Sequence, residues 1–246
     1  MNDNLGLGIL LAAVAGWLAA TRKRGKKVTK VTPDIDPEID DGTTAVTELE
    51  MLEAWITDRR AQAKLSSKAA PYTRKRDASK VDAVVLHQMG FSRGSDPSRY
   101  DKVTAHYKIL PDGAIIWSHD WSTRLPASNG FNSRSLGVEF AGNFPKVEGS
   151  RDPKDFWSPD KMGMNNLTPE QIRSGKKLMR YLDIKGITHV FAHRQSSASR
   201  GIDPGPAVWR NVGEYAMSLG MSDGGPGYKI DSGNPIPDAW RGGAVA

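Results

Sequence analysis

The sequence predicts a mixed α/β (α+β) fold: a mixed central β-sheet flanked by helices, with an N-terminal membrane helix ahead of it. Three observations lead there. Short apolar runs of strand length alternate with polar turns from about residue 80 onward, a capped amphipathic helix interrupts them at Thr168, and residues 5–20 carry no charge. Strands with helices between them bury a sheet face under helical stripes, which gives a layered α/β or α+β architecture.

The elements follow in chain order. Residues 5–20 are near the lower limit for crossing a bilayer, and Trp17 sits where an interfacial aromatic belongs. Arg22, Lys23, Arg24, Lys26 and Lys27 follow the apolar run. A cleavable signal peptide carries its charges before such a run, so an anchor over residues 1–22 is expected. The positive-inside rule would keep the basic flank on the cytoplasmic side. A basic, then acidic and Pro-rich linker, 23–45, includes Thr32-Pro33-Asp34-Ile35-Asp36-Pro37 and reads as an extended spacer. Over 46–66 the chain reads as an amphipathic helix, with Leu49, Leu52 and Ile56 on one stripe that packs on the domain in preference to mediating self-association.

Val81 to Leu86 reads as a buried strand ending at His87. His106 to Leu110 is the next strand, turned by Pro111-Asp112-Gly113 into Ala114 to Trp117, a hairpin signal. Leu136 to Phe140 is a third. Thr168-Pro169-Glu170-Gln171 supplies a cap, a proline at the first helical position and the partner of a capping box. Thr188 to Ala192 is a short strand leading into His193, and 220–246 reads as a Gly/Pro-rich tail, wrapped on a neighbour or mobile.

Composition limits the chemistry. The net charge of +6 suits anionic partners such as wall polymers, anionic lipid or nucleic acid, or a solubilising surface. The basic runs Arg22 to Lys27 and Arg74-Lys75-Arg76 have no interleaved aromatics for base stacking, so nucleic acid is not an expected partner. With no cysteine in the chain, disulfides and thiolate metal sites are excluded. Two imidazoles and a carboxylate remain conspicuous: His87 at a strand end, His193, and Asp203, stiffened by Pro204-Gly205-Pro206. Three protein ligands with an open fourth position are what a catalytic zinc site needs, although His and carboxylate also admit other divalent ions.

Three blocks in order carry a resemblance. They are Val84-Val85-Leu86-His87; Thr104-Ala105-His106-Tyr107 through Gly113 to Ser135-Leu136-Gly137-Val138-Glu139-Phe140; and Ala192-His193 through Asp203-Pro204-Gly205-Pro206. Together, over roughly residues 80 to 215, they resemble the zinc-dependent N-acetylmuramoyl-L-alanine amidases, which share a fold with T7 lysozyme and peptidoglycan recognition proteins, and suggest a bacteriophage origin.

The resemblance implies a zinc amidase domain over 78–219, with His87, His193 and Asp203 as Zn2+ ligands and Glu139 as the catalytic acid/base. His106 and Asn132 are candidate substrate-binding residues, and His106 reads equally as a buried histidine that holds another group by hydrogen bond. Many relatives carry Lys two residues before the last ligand; here it is Gly201, and Arg200, a permanent cation, is the candidate for that catalytic task. Ala105 replaces a Tyr found in some members, and the family's Trp-His-Ala-Gly stretch is not recognisable in Leu125-Pro126-Ala127-Ser128. His119 and His189 match no block and read as surface or edge residues.

The implied function is a peptidoglycan hydrolase that cuts between N-acetylmuramic acid and L-alanine. With its anchor and spacer it would be a membrane-anchored, virion-associated phage lysin, in a phage membrane or particle or in the bacterial cell envelope. Its partners would be bacterial peptidoglycan, a lipid membrane and other virion proteins. The alternative is a non-catalytic peptidoglycan-binding or structural virion protein on the same fold.

Overall fold

A computed structural model describes residues 45–242. The expected anchor (1–22) and nearly all of the expected linker (23–45) lie outside the described residues. Among the described residues no helix is long and apolar enough to cross a membrane.

Helix α1 (Ala45–Ala54) leads into strand β1 (Ile56–Asp58). There follow β2 (Arg74–Lys75), β3 (Ala83–Gln88), β4 (Tyr107–Ile109), β5 (Ile115–Trp117), β6 (Thr123–Arg124) and β7 (Ser135–Phe140). Helix α2 (Pro169–Ile184), β8 (His189–Ala192) and a helix over residues 206–218, with a π turn at Trp209–Gly213, follow, and a single helical turn (Pro159–Met162) precedes them. Six strands form one sheet in the order β1-β5-β4-β7-β3-β8, and β2 pairs with β6 separately. Strands β4, β7, β3 and β8 run parallel, and β5 is antiparallel to β4.

The burial of β3 explains its sequence. All six residues are buried, so the strand has no solvent face and reads as a continuous apolar run up to His87. One sheet face carries Val84, Leu86, Tyr107, Ile109, Val138 and Phe140. It packs against Leu178, Met179 and Leu182 of α2 and Val208, Trp209 and Val212 of the last helix. Each such aliphatic side chain contributes about 1.5–3 kcal/mol on full burial. Loops cover the opposite face, through the clusters Ala83–Val85–Phe131–Phe191 and Tyr100–Leu110–Ile116–Ala141. The chemistry-bearing side chains leave the sheet on this loop-covered face.

Helix α2 begins as its sequence predicts. Thr168 Oγ1 accepts from the Gln171 N–H at 3.0 Å, and Gln171 Oε1 accepts from the Thr168 N–H at 3.2 Å. Gln171 Nε2 also donates to the carbonyls of Ile109 and Ala141, tying the helix start to the ends of β4 and β7.

One boundary differs from expectation. The helix expected over 46–66 stops at Ala54, and Ile56–Asp58 pairs parallel with β5 instead. The free edge of β5 offers backbone partners that helix continuation would forgo. Arg59, bidentate on Asp101, and Arg60, over the Trp117 ring at 3.6 Å, pin the turn that follows. Leu49 and Leu52 do pack on the core.

Of the two readings of the tail, wrapped or mobile, the structure shows the first. Residues 220–242 belong to the folded domain: Ile236 and Trp240 are buried in the main core, and the Ser222 carbonyl accepts from the Val190 N–H at 3.0 Å. Its Gly/Pro content encodes turns.

Candidate metal centre and its cavity

Strands β3 and β8 are parallel neighbours, so their carboxyl ends lie side by side, where loops of such sheets converge on ligands. His87 is the penultimate residue of β3, His193 directly follows β8, and Asp203 closes the loop after it. All three are buried. His87 Nδ1 lies 2.9 Å from His193 Nδ1, His193 Nδ1 lies 2.9 Å from Asp203 Oδ2, and the third side of the triangle, His87 Nδ1 to Asp203 Oδ2, is 3.8 Å. Donors about 2.0–2.1 Å from a tetrahedral ion are spaced about 3.3 Å apart. The triangle brackets that spacing.

The surrounding hydrogen bonds show what the cluster lacks. His87 Nε2 is 3.0 Å from Ser128 Oγ, and His193 Nε2 is 3.2 Å from Asn129 Oδ1. With both Nε2–H groups directed outward, each Nδ1 presents a lone pair to the other and to the Asp203 carboxylate. Three acceptors face one another with no donor among them, an arrangement that a cation relieves. The donor set, two imidazoles and a carboxylate, fits a divalent metal ion. Burial, and then the charge of His193, lower the His87 pKa to about 4, so it is neutral, the form that ligates, at neutral pH. Burial opposes the charge on Asp203, but the adjoining His193 and His87 rings hold its carboxyl well below the usual range.

Asp203 is aimed by Gln88. The Gln88 N–H donates to Asp203 Oδ1 at 2.9 Å; its side chain donates to the Ile202 carbonyl at 2.8 Å and accepts from the Phe144 N–H at 2.6 Å. One residue thus fastens the ligand loop to the end of β3.

Glu139 lies opposite His87 in the β3–β7 register, and Lys108 lies opposite Glu139 in the β4–β7 register. Glu139 Oε2 is buried and has no hydrogen-bond partner. Burial and the neighbouring Asp203 charge push its pKa up to about 8, while Arg200 and Lys108 pull it back. The carboxylate borders a cavity of about 460 Å³ that Asp203, His193, Arg200 and Trp157 also line. Arg200 is held by its guanidinium 4.9 Å from the centre of the Trp157 ring. A second hollow of about 300 Å³, at Trp117, Trp121 and Lys185, contains none of these groups.

Two candidate substrate residues sit elsewhere. His106 is buried: Nδ1 accepts from the Gly137 N–H at 3.0 Å, and Nε2, 2.8 Å from the Thr123 carbonyl, donates to it. With both ring nitrogens spent within the fold, His106 braces β7. Asn132 Oδ1 accepts from the N–H groups of Ala127 and Ser128 at 3.0 and 2.6 Å, shaping the loop that presents Ser128 and Asn129. Neither lines the cavity. His189 is a half-buried edge residue, whereas His119 has a buried, unpartnered Nε2. Sequence reasoning missed Gln88, Lys108, Ser128, Asn129 and Trp157. A lysine inside the apolar strand Tyr107–Ile109 was a legible signal; Ser128 and Asn129 look like any turn.

A mixed sheet with a buried His–His–Asp cluster at the carboxyl ends of its parallel strands, beside an open cavity, marks an α/β protein with a candidate metal site. Residues 77–206 match the family described as N-acetylmuramoyl-L-alanine amidase. The match spans more than half of the chain, and the chain belongs to that family. Solved structures similar to it include the endolysin amidase LysCS from Clostridium intestinale URNW, 19% identical, covering 68% of this chain and 95% of that one with a TM-score of 0.45. Drosophila peptidoglycan recognition protein SD is 21% identical, with 62% and 89% covered and a TM-score of 0.44. Drosophila peptidoglycan recognition protein SA is 14% identical, with 71% and 97% covered and a TM-score of 0.47. No curated protein matches the chain.

Proposed function

We propose that this protein is a zinc-dependent amidase that cleaves the bond between N-acetylmuramic acid and L-alanine in bacterial peptidoglycan. The observation that carries the reading is the unpartnered Glu139 carboxylate, bordering the cavity beside the convergent donors of His87, His193 and Asp203. Zinc held by those three donors would lower the pKa of a bound water to about 7 and polarise the scissile carbonyl. Glu139, whose Oε2 is unpartnered at the cavity beside the donors, is placed to take the proton of the attacking water and hand it to the leaving nitrogen. Arg200, at the cavity wall, supplies a permanent cation toward the developing oxyanion.

The apolar run 5–20 and the basic residues after it support a membrane-anchored setting, in a phage virion or the bacterial envelope. The charge order favours delivery to the wall as a particle component over ordinary export. Co-flotation of the full chain, but not of residues 45–246, with anionic liposomes tests the anchor. Gly201, at a position where relatives carry a lysine, favours a second reading: a protein that docks on wall fragments without cutting them.

The deciding experiment is release of stem peptides from purified sacculi, with and without a chelator. Release that the chelator abolishes and zinc restores supports the amidase. Binding to sacculi without release supports the docking reading.

A further inference from the structure

Beyond the family-matched residues 77–206, the chain returns to cover the loop that carries His193. Gln195, two residues past that ligand and fully buried, is where it attaches. Gln195 Oε1 accepts from the Ala192 N–H at 2.9 Å, and Nε2 donates to the carbonyls of Asp223 at 3.0 Å and Tyr228 at 3.2 Å. The Gln195 carbonyl accepts from the Ile230 N–H at 2.8 Å, and the Arg194 carbonyl from the Asn234 N–H at 2.8 Å. Gly233 lies so close that a Cβ there would overlap the Gln195 carbonyl, so the two segments meet backbone to backbone.

Two contacts hold the returning segment shut. The Arg194 guanidinium lies 4.8 Å from the centre of the Trp240 ring, which is buried. Arg241 Nη1 lies 2.6 Å from Asp223 Oδ2, an ion pair between nearly buried partners. The covered loop, His193–Ser196 and Ala198–Arg200, consists of single 3-10 turns, so it has little internal hydrogen bonding to hold His193 in place.

We propose that residues 220–242 form a strap whose closure on Gln195, locked by the Asp223–Arg241 pair, sets the affinity of the His87–His193–Asp203 site for its metal ion. Gln195 is the positioning residue that transmits closure to His193. The proposal rests on the cluster being a metal site and not on the amide chemistry. Binding linkage makes the effect reciprocal: metal loading tightens the strap by the free energy with which the strap tightens metal.

The test uses the full chain, zinc alone as the probe, and Arg241→Ala and Gly233→Ala. Hydrogen exchange at the Ile230 and Asn234 amides reports strap opening, chelator competition reports zinc affinity, and Co2+ absorption reports ligand geometry. In both variants we expect faster exchange at the two amides, zinc binding weakened about tenfold or more, and an altered cobalt spectrum. In the wild type, adding zinc should slow exchange at the same amides. An opened strap with zinc affinity within about twofold of wild type overturns the proposal, because a merely structural tail lowers stability without touching the metal. Undiminished amide protection in Arg241→Ala removes the ion pair as the lock and overturns it too. If Gly233→Ala fails to fold, Arg241→Ala and the wild-type comparison with and without zinc still decide. Failure to cleave sacculi would sink the amidase reading and leave these readouts intact.

Discussion

His87 on β3 and Glu139 on β7 are register partners in adjacent parallel strands, so both side chains leave the same face of the sheet. A candidate ligand and a candidate general base are thereby spaced by the sheet's own repeat, about 4.8 Å between strands. Lys108 on β4 extends the row by one strand. A slip of one residue between β3 and β7 would turn Glu139 into the helix-packed core, and burial of the strands on both faces resists it.

Glu139→Gln is expected to keep the metal and lose the chemistry. The amide cannot accept the proton of the attacking water, so cleavage of sacculi should fall by about 10²–10⁴. Metal analysis should find zinc content equal to wild type. Undiminished cleavage would remove Glu139 from the mechanism.

Ser128→Ala deletes the hydroxyl 3.0 Å from His87 Nε2, and Asn129→Ala deletes the acceptor 3.2 Å from His193 Nε2. Each frees a ligand ring to turn and to change tautomer. Zinc affinity should fall about tenfold or more in either variant, read by chelator competition. Wild-type affinity in both would mean that the rings are held by packing alone.

Lys108→Met removes a buried ammonium whose Nζ donates to the Tyr100 carbonyl and whose pKa burial lowers to about 8. Its charge favours ionised Glu139, so its loss should raise the Glu139 pKa further. The limb of the pH–rate profile that reports the base should move to higher pH, with slower cleavage at neutrality. Thermal melting should be unchanged or higher, since an apolar chain replaces a desolvated charge. A profile identical to wild type would show that Lys108 does not act on the base.

His106 gives a pH dependence of stability. Burial, then the Arg76 charge, lower its pKa from 6.5 to about 3. The folded state binds that proton more weakly than the unfolded chain. The contribution is therefore fully present above about pH 6.5 and is lost as pH falls toward 3, by up to about 5 kcal/mol. His106→Asn should flatten this part of the acid limb, measured as urea midpoints across the range. An unchanged slope would place the acid sensitivity elsewhere.

Much of the frame was legible because its signals are local. The capping box of Thr168 and Gln171, the Pro111–Gly113 turn and the buried run before His87 each lie within a few residues, and each formed where the sequence placed it. The candidate donors were legible through the family resemblance, and the structure brings His87, His193 and Asp203 together. Ile56 was misread because a β-branched residue on a helical stripe gives no notice of the open edge of β5. For His106 the sequence leaves substrate contact and an internal hydrogen-bonding role open, because its position beside a strand says nothing of the Gly137 and Thr123 groups that consume its nitrogens. The composition of the segment after Leu219 leaves a wrapped and a mobile tail equally open, because turn-forming residues are shared by ordered straps and disordered ends.

The layered fold is written in the sequence itself, because strand periodicity and caps lie within short windows, and the candidate metal donors entered through the resemblance of three blocks to a known family. Tertiary structure alone decided which ring nitrogens point inward, which neutral groups hold them, and that the strand ends of β3, β7 and β8 set base and ligands side by side. Those relations join residues tens of positions apart, and only sheet register and packing bring them within hydrogen-bonding distance.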